Sequence, residues 1–178
     1  LYRSGFDNAF SGLDGDKATS EVITNSFLLI GLEALTRGKK AFINFPKGSL
    51  EEGIAALLPK EHAVIEILED IEPDEKIIGI CKKLKELGYT LALDDFIYDV
   101  KYTPLIELAD IIKVDFLNTP VEERKNIIKT IGHSRVKFLA EKVETREELT
   151  QAIEWGYSYF QGYFFSKPVI ISGRDIPG

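Results

Sequence analysis

The sequence has no methionine, one cysteine and two histidines among its 178 residues. With Cys81 alone, no internal disulfide can form, and a reducing compartment, the cytoplasm, is expected. The missing methionine and a start at Leu1, inside an apolar segment, lead us to expect further chain upstream. No run is apolar for long enough to span a bilayer, and none reads as a signal peptide. Positive charge is also short: 22 Lys and Arg face 29 Asp and Glu, a net charge of -7. That argues against a broad basic face for long nucleic acids, but leaves room for a small anionic ligand held by metal ions and a few local cations. No glycine-rich phosphate loop follows the first strand-like runs, which weakens a dinucleotide-binding reading.

What is present is an alternation of short β-rich runs and amphipathic stretches. Strands are expected at Ala41–Phe45, Ala63–Leu68, Tyr89–Leu93, Asp110–Val114, Val136–Ala140 and Tyr159–Phe164, with Leu1–Arg3 the end of an earlier one. The runs are mostly apolar, as in parallel strands covered on both faces. Ser49 with Glu52, Thr119 with Glu122 and Thr145 with Glu148 fit capping boxes, in which side chains satisfy orphan N–H groups reciprocally. Pro73, Pro104 and Pro120 suit first helical turns, and Gly38, Gly88, Gly132 and Gly156 suit helix C-termini. Ile77, Ile80, Cys81, Leu84 and Leu87 form one apolar stripe at helical spacing, as do Ile23, Phe27, Ile30 and Ala34. Repeated strand–helix units imply a parallel sheet, either open and doubly wound or closed into a barrel. One domain over residues 1–171 is expected, with 172–178, ending in Pro177 and Gly178, leading toward another domain.

Polar residues interrupt these runs at one kind of place. Asn44 lies near the end of the first, Glu66 and Glu69 late in or after the second, and Asp94 and Asp95 after the third. Lys113 and Asp115 close the fourth, Glu141 and Glu144 follow the fifth, and Gln161 lies within the last. In a parallel barrel the C-terminal strand ends open onto one face, which carries the active site. Carboxylates gathered there repel one another and call for positive charge, and all-oxygen donors suit magnesium or manganese rather than zinc. Two such ions can clamp a phosphodiester and activate a water, with Lys113 as a fixed charge and a free carboxylate as general base. A single strand-end acid is more often a helix cap or a turn residue, a reading open for Asp95, Asp115, Glu69 and Glu144. His62, His133, Cys81 and Trp155 read as structural.

The segments Leu91-Ala92-Leu93-Asp94-Asp95-Phe96, Ile112-Lys113-Val114-Asp115, Ala140-Glu141-Lys142-Val143-Glu144-Thr145 and Gln161-Gly162-Tyr163-Phe164-Phe165-Ser166-Lys167-Pro168 resemble the ordered motifs of EAL domains. Phe42-Ile43-Asn44 and Ile65-Glu66-Ile67-Leu68-Glu69 fit the intervening ones. The resemblance implies a modified TIM-like (β/α)8 barrel, truncated at its N-terminus, that acts on or recognises cyclic di-GMP. It implies magnesium or manganese held by Asn44, Glu66, Asp94 and Asp95. Glu141 would be the general base or a partner of metal-bound water, and Lys113 would hold the catalytic water. Arg3 and Gln161 would contact substrate, Glu69 would brace the loop after the Asp-Asp pair, and Glu144 would stand behind the metal ligands. Active relatives open the cyclic dinucleotide to linear pGpG.

The departures matter as much. The family's signature glutamate would fall two residues before Leu1. The loop after Asp95, rich in Gly, Thr and Ser in the family, reads Ile97-Tyr98-Asp99-Val100-Lys101-Tyr102, and it also shapes a dimer contact in active relatives. β-Branched Ile97 and Val100 do not take glycine's conformations cheaply. Lys142 stands in place of a glycine, where its ammonium would neutralise nearby carboxylates and lower metal affinity. The early segment 12–20 is shortened. The pattern is similar to EAL halves that precede an HDOD domain, which are often degenerate. A receptor or protein-interaction module is therefore expected ahead of an active phosphodiesterase, and an unrelated barrel enzyme far behind both.

Overall fold

The computed structural model describes residues 36–132 and 136–165. The earlier strand end expected at Leu1–Arg3, the stripe from Ile23 to Ala34, His133 and the C-terminal tail lie outside them. The chain alternates strand and helix: β1 (Ala41–Phe45), α1 (Lys47–Glu51), β2 (Ala63–Ile67), α2 (Glu75–Glu86), β3 (Thr90–Leu93), α3 (Thr103–Leu108), β4 (Ile111–Asp115), α4 (Val121–Ile131), β5 (Lys137–Glu141), α5 (Arg146–Trp155) and β6 (Tyr159–Phe160). The strands form one six-stranded sheet in the order of the sequence, each pair parallel. A doubly wound sheet reverses its strand order at a switch point, whereas a barrel never does. The unbroken order selects the barrel alternative, here six successive units of a truncated TIM-like fold.

Two apolar clusters divide the strands by parity. Ile65, Ile67, Leu91, Leu93, Ile112, Val114, Phe138 and Ala140 join the helices in the main core. Val64, Ala92, Ile111 and Leu139 form a second, separate cluster on the opposite strand face. That second face turns polar toward the strand ends, at Glu66, Asp94, Lys113, Asp115 and Glu141. Period-two alternation thus exists in every strand, but apolar residues fill both faces near the strand starts and hide it from the sequence.

Helix α2 buries Ile77, Cys81 and Leu84, and its stripe ends there because Leu87 is exposed. Burial pushes the Cys81 thiol up to about 12, so it behaves as a core residue. Trp155 packs against Phe116, with ring centroids 6.4 Å apart. Of the three capping boxes, only Thr145 with Glu148 forms. Ser49 is buried inside α1, and Pro120 rather than Thr119 takes the N-cap of α4. Pro104 sits in the first turn of α3 as expected, whereas Pro73 precedes the α2 cap Asp74. Thr145→Ala should lower stability by about 1 kcal/mol in urea unfolding, because it strands the Glu148 N–H.

Candidate functional site

The polar ends of β2 to β5 converge around Lys113. Its side chain is 6% exposed, and its ammonium lies 2.5 Å from Asp94 Oδ1, 3.1 Å from Glu141 Oε1 and in direct contact with Glu66 Oε1. Register explains the meeting. Asn44 pairs with Glu66 across β1 and β2, and Asp115 pairs with Glu141 across β4 and β5. Each residue lies on the strand face that carries the small apolar cluster.

Asp95 needs a further device. Consecutive residues on a strand point to opposite faces, which would separate Asp95 from Asp94. Asp95 instead has φ +38°, a left-handed conformation that Asp tolerates better than most residues. The turn brings oxygen atoms of Asp94, Asp95 and Glu141 within 4.8 Å of one another. Backbone hydrogen bonds hold the segment on both sides, from Asp94 N to Ile67 O and from Phe96 N to Lys113 O. The altered loop beyond it accommodates Ile97 and Val100 without left-handed backbone; both are exposed, at 68% and 74%.

A second lysine reaches the same cluster from the rim. Lys142 has φ +54°, and its ammonium contacts Asp115 Oδ2 and lies 3.6 Å from Asp95 Oδ2. Asp115 is fixed by the N–H groups of Leu117 and Asn118 and by the Asn118 side-chain amide, at 2.7, 3.0 and 2.6 Å. Read from the sequence, Asp115 is a strand-end acid for which a turn role alone stays open; its grip on Lys142 depends on a left-handed backbone at Lys142.

The charges account for the protonation of the site. Burial, reinforced by Asp94 and Asp95, pushes the Glu141 carboxyl up to about 8, against the pull of Lys113. Burial likewise raises Glu66 and Asp95. Burial also opposes the charge on Lys113, yet Glu66, Glu141 and Asp94 outweigh it and hold the ammonium above its usual range. At Asp115 burial is outweighed by hydrogen bonds from Lys142, Asn118 and Leu117, which hold its carboxyl low. A carboxyl raised by folding contributes stability at pH below its unfolded value and loses it as pH rises through the folded one. The metal-free protein should therefore unfold at lower urea at pH 8 than at pH 5, and divalent cations should narrow that gap.

The donor set suits a hard divalent cation. Asp95 Oδ1 is buried without a hydrogen-bond partner, a costly state that a cation beside Asp94 and Glu141 would relieve. Glu66 Oε1 also lacks a well-directed hydrogen bond, but its ion pair with Lys113 compensates it.

The remaining expected residues sit differently. Glu69 is exposed, and Tyr102 Oη donates to its backbone carbonyl at 3.3 Å, so the bracing contact seen there is through the main chain. With Asp94 and Asp95 it borders a cavity of about 220 Å³ whose walls include Ile67, Leu93, Phe96, Tyr102 and Leu105. Glu144 is exposed at the start of α5, its N–H donating to Glu148. Gln161 lies beyond β6, not within a strand reaching Phe164, because the chain turns at Gly162. Its backbone bonds to Ala140 and Val143, and the residue is exposed.

Known proteins are similar to this chain in sequence and in fold. The Bacillus subtilis protein YuxH is 47% identical over 182 residues, covering 99% of this chain and 44% of its own length. The cyclic di-GMP phosphodiesterase CdgJ of Vibrio cholerae is 38% identical over 179 residues, covering 99% of this chain and 41% of its own. The chain thus spans less than half of either relative. The crystal structure of the Bacillus subtilis YkuI protein, with an EAL domain in complex with cyclic di-GMP and calcium, superposes with a TM-score of 0.68 at 22% identity, over 96% of this chain and 48% of that one. The EAL domain profile matches residues 45–168, and the chain belongs to the EAL domain family.

Proposed function

We propose that this domain recognises cyclic di-GMP at the barrel mouth and acts as a receptor or protein-interaction module with weak or no turnover. The observation that carries this reading is the cluster of Glu66, Asp94, Asp95 and Glu141 around Lys113, with Lys142 drawn into it. The acids and Lys113 are what phosphodiester recognition at a cation requires, while a resident ammonium at Asp95 opposes full metal loading. Magnesium or manganese would be held by Asp94, Asp95 and Glu141, with Glu66 and Asn44 alongside. Bound there, the ion would polarise the phosphodiester and lower the pKa of a water. Lys113 is placed to fix a phosphate oxygen or a water, and Glu141, where it leaves the ion to the other acids, to accept a proton from that water. Arg3 and Gln161 would contact the nucleotide, while Glu69 and Glu144 would steady the loops. Exposed Ile97, Tyr98 and Val100 on the rim offer apolar surface to a protein partner or a second copy. We place the domain in the cytoplasm, with residues 172–178 leading into a C-terminal domain of the HDOD kind; no helix among the described residues is long and apolar enough to cross a membrane.

The second reading is an active phosphodiesterase, favoured by the intact contact of Lys113 with Glu66, Asp94 and Glu141. Incubation with cyclic di-GMP and manganese, followed by chromatography, separates the two. The receptor reading expects no more than about one nucleotide converted per protein over long incubation at high protein concentration. Linear pGpG formed over many turnovers, and lost in Glu141→Gln, would replace it with the enzyme.

A further inference from the structure

We propose that the cavity of about 220 Å³ between the β2–α2 loop and the segment 96–102 is a second binding site, which takes a small apolar amine with its ammonium on the Glu69 carboxylate. The site stands apart from the nucleotide reading above. It is too small for a cyclic dinucleotide, and the acids on its border would repel a phosphodiester. Ile67, Leu93 and Leu105 supply buried walls from β2, β3 and α3. Phe96 and Tyr102 add a pair of rings packed edge to face, with centroids 5.7 Å apart. An apolar cavity of about 150 Å³ is enough to hold benzene. The space here therefore takes an aromatic ring or a branched alkyl group together with a short arm.

Charge selects what the arm carries. Glu69, Asp94 and Asp95 all border the cavity. Lys113 pairs with Asp94 and Lys142 approaches Asp95, whereas Glu69 has no cationic partner among the described residues. Partial burial raises the Glu69 carboxyl, and Asp94 and Asp95 raise it further. Glu69 is nonetheless an exposed residue, within reach of a ligand that enters from solvent. An ammonium there gains a charge-assisted hydrogen bond that a neutral head forgoes. Occupation also has a mechanical consequence. Tyr102 Oη on the Glu69 carbonyl, at 3.3 Å, and Lys101 on Glu72, at 2.9 Å, are exposed contacts that clasp the two loops. A ligand in the cavity packs against both loops and adds buried apolar contact to that clasp.

Calorimetric titration of the metal-free protein with benzylamine, and with benzyl alcohol as its uncharged counterpart, tests this. Benzylamine should bind saturably and at least about tenfold more tightly than benzyl alcohol. Glu69→Gln should erase that difference by weakening the amine alone. Leu68→Phe, which brings a ring into the cavity from its half-buried border, should weaken both probes at least about tenfold. Hydrogen exchange in 68–72 and 97–102 should slow on saturation with benzylamine, which an ion pair on the surface at Glu69 would not produce. Circular dichroism establishes that the variants are folded, and Glu69→Gln, at an exposed position, keeps the test standing should Leu68→Phe not fold. No saturable benzylamine binding, binding that a folded variant leaves unchanged, or benzyl alcohol bound as tightly as the amine would overturn the site. None of these results bears on metal or nucleotide binding at the barrel mouth.

Discussion

Lys113→Met should destabilise the metal-free protein by roughly 3 kcal/mol or more at pH 8, the scale expected when one partner of a buried ion pair is removed. Methionine preserves the aliphatic stem and its packing near the Phe42 ring, which lies 6.0 Å from the ammonium. What it removes is the cation shared by Glu66, Asp94 and Glu141. Those carboxylates then face one another with little water to screen them. They can respond by taking up protons, as burial already inclines Glu66 and Glu141 to do. The loss should therefore shrink at pH 5, where protonation needs little work. Urea unfolding at the two pH values reads the effect. An equal loss at both would mean that Lys113 matters through packing and not through charge.

Gly162→Ala should cost a similar amount, roughly 3 kcal/mol or more, for a steric reason. A Cβ built at Gly162 falls 2.1 Å from the Val143 carbonyl oxygen, 2.3 Å from its nitrogen and 2.7 Å from its carbonyl carbon. These are backbone atoms, and no rotamer change moves them. Val143 is fully buried and tied on both sides, accepting from Phe164 N and donating to Gln161 O. The clash must displace the segment that follows β5, which carries Lys142 and adjoins Glu141. Manganese affinity should fall along with stability. Gly79→Ala is the control: it lies in α2, where an added Cβ meets nothing within 4 Å, so stability should hold or rise. A Gly162→Ala protein as stable as wild type would contradict the packing at Val143.

Much of this architecture is legible in the residues themselves. β1 has the bounds its apolar run announces, and the next four strands shift by a residue or two. The shifts have identifiable causes. Tyr89 is diverted to donate its hydroxyl to Leu58 and Ala56, and Asp110 turns its carboxylate to Leu91 N and Lys85. The last strand is much shorter than its apolar run because Gly162 breaks it, a contact with Val143 that no local pattern encodes. Capping boxes fail where a stronger local rule intervenes. Pro120 itself takes the cap beside Thr119, and Ser49 is carried into the interior of a short helix. The grouping of Glu66, Asp94, Lys113 and Glu141 follows from strand-end position and parity, and so could be read early. The family resemblance already brings Asp95 and Lys142 to the site, but not how they reach it, because each uses a left-handed backbone at a residue that is not glycine.

The most direct test of the central claim is a calorimetric titration of cyclic di-GMP into the protein with a divalent cation present. Saturable binding that weakens sharply in Asp94→Asn, with folding intact, is the predicted result. Heats indistinguishable from dilution, with and without the cation, would contradict nucleotide recognition at the barrel mouth.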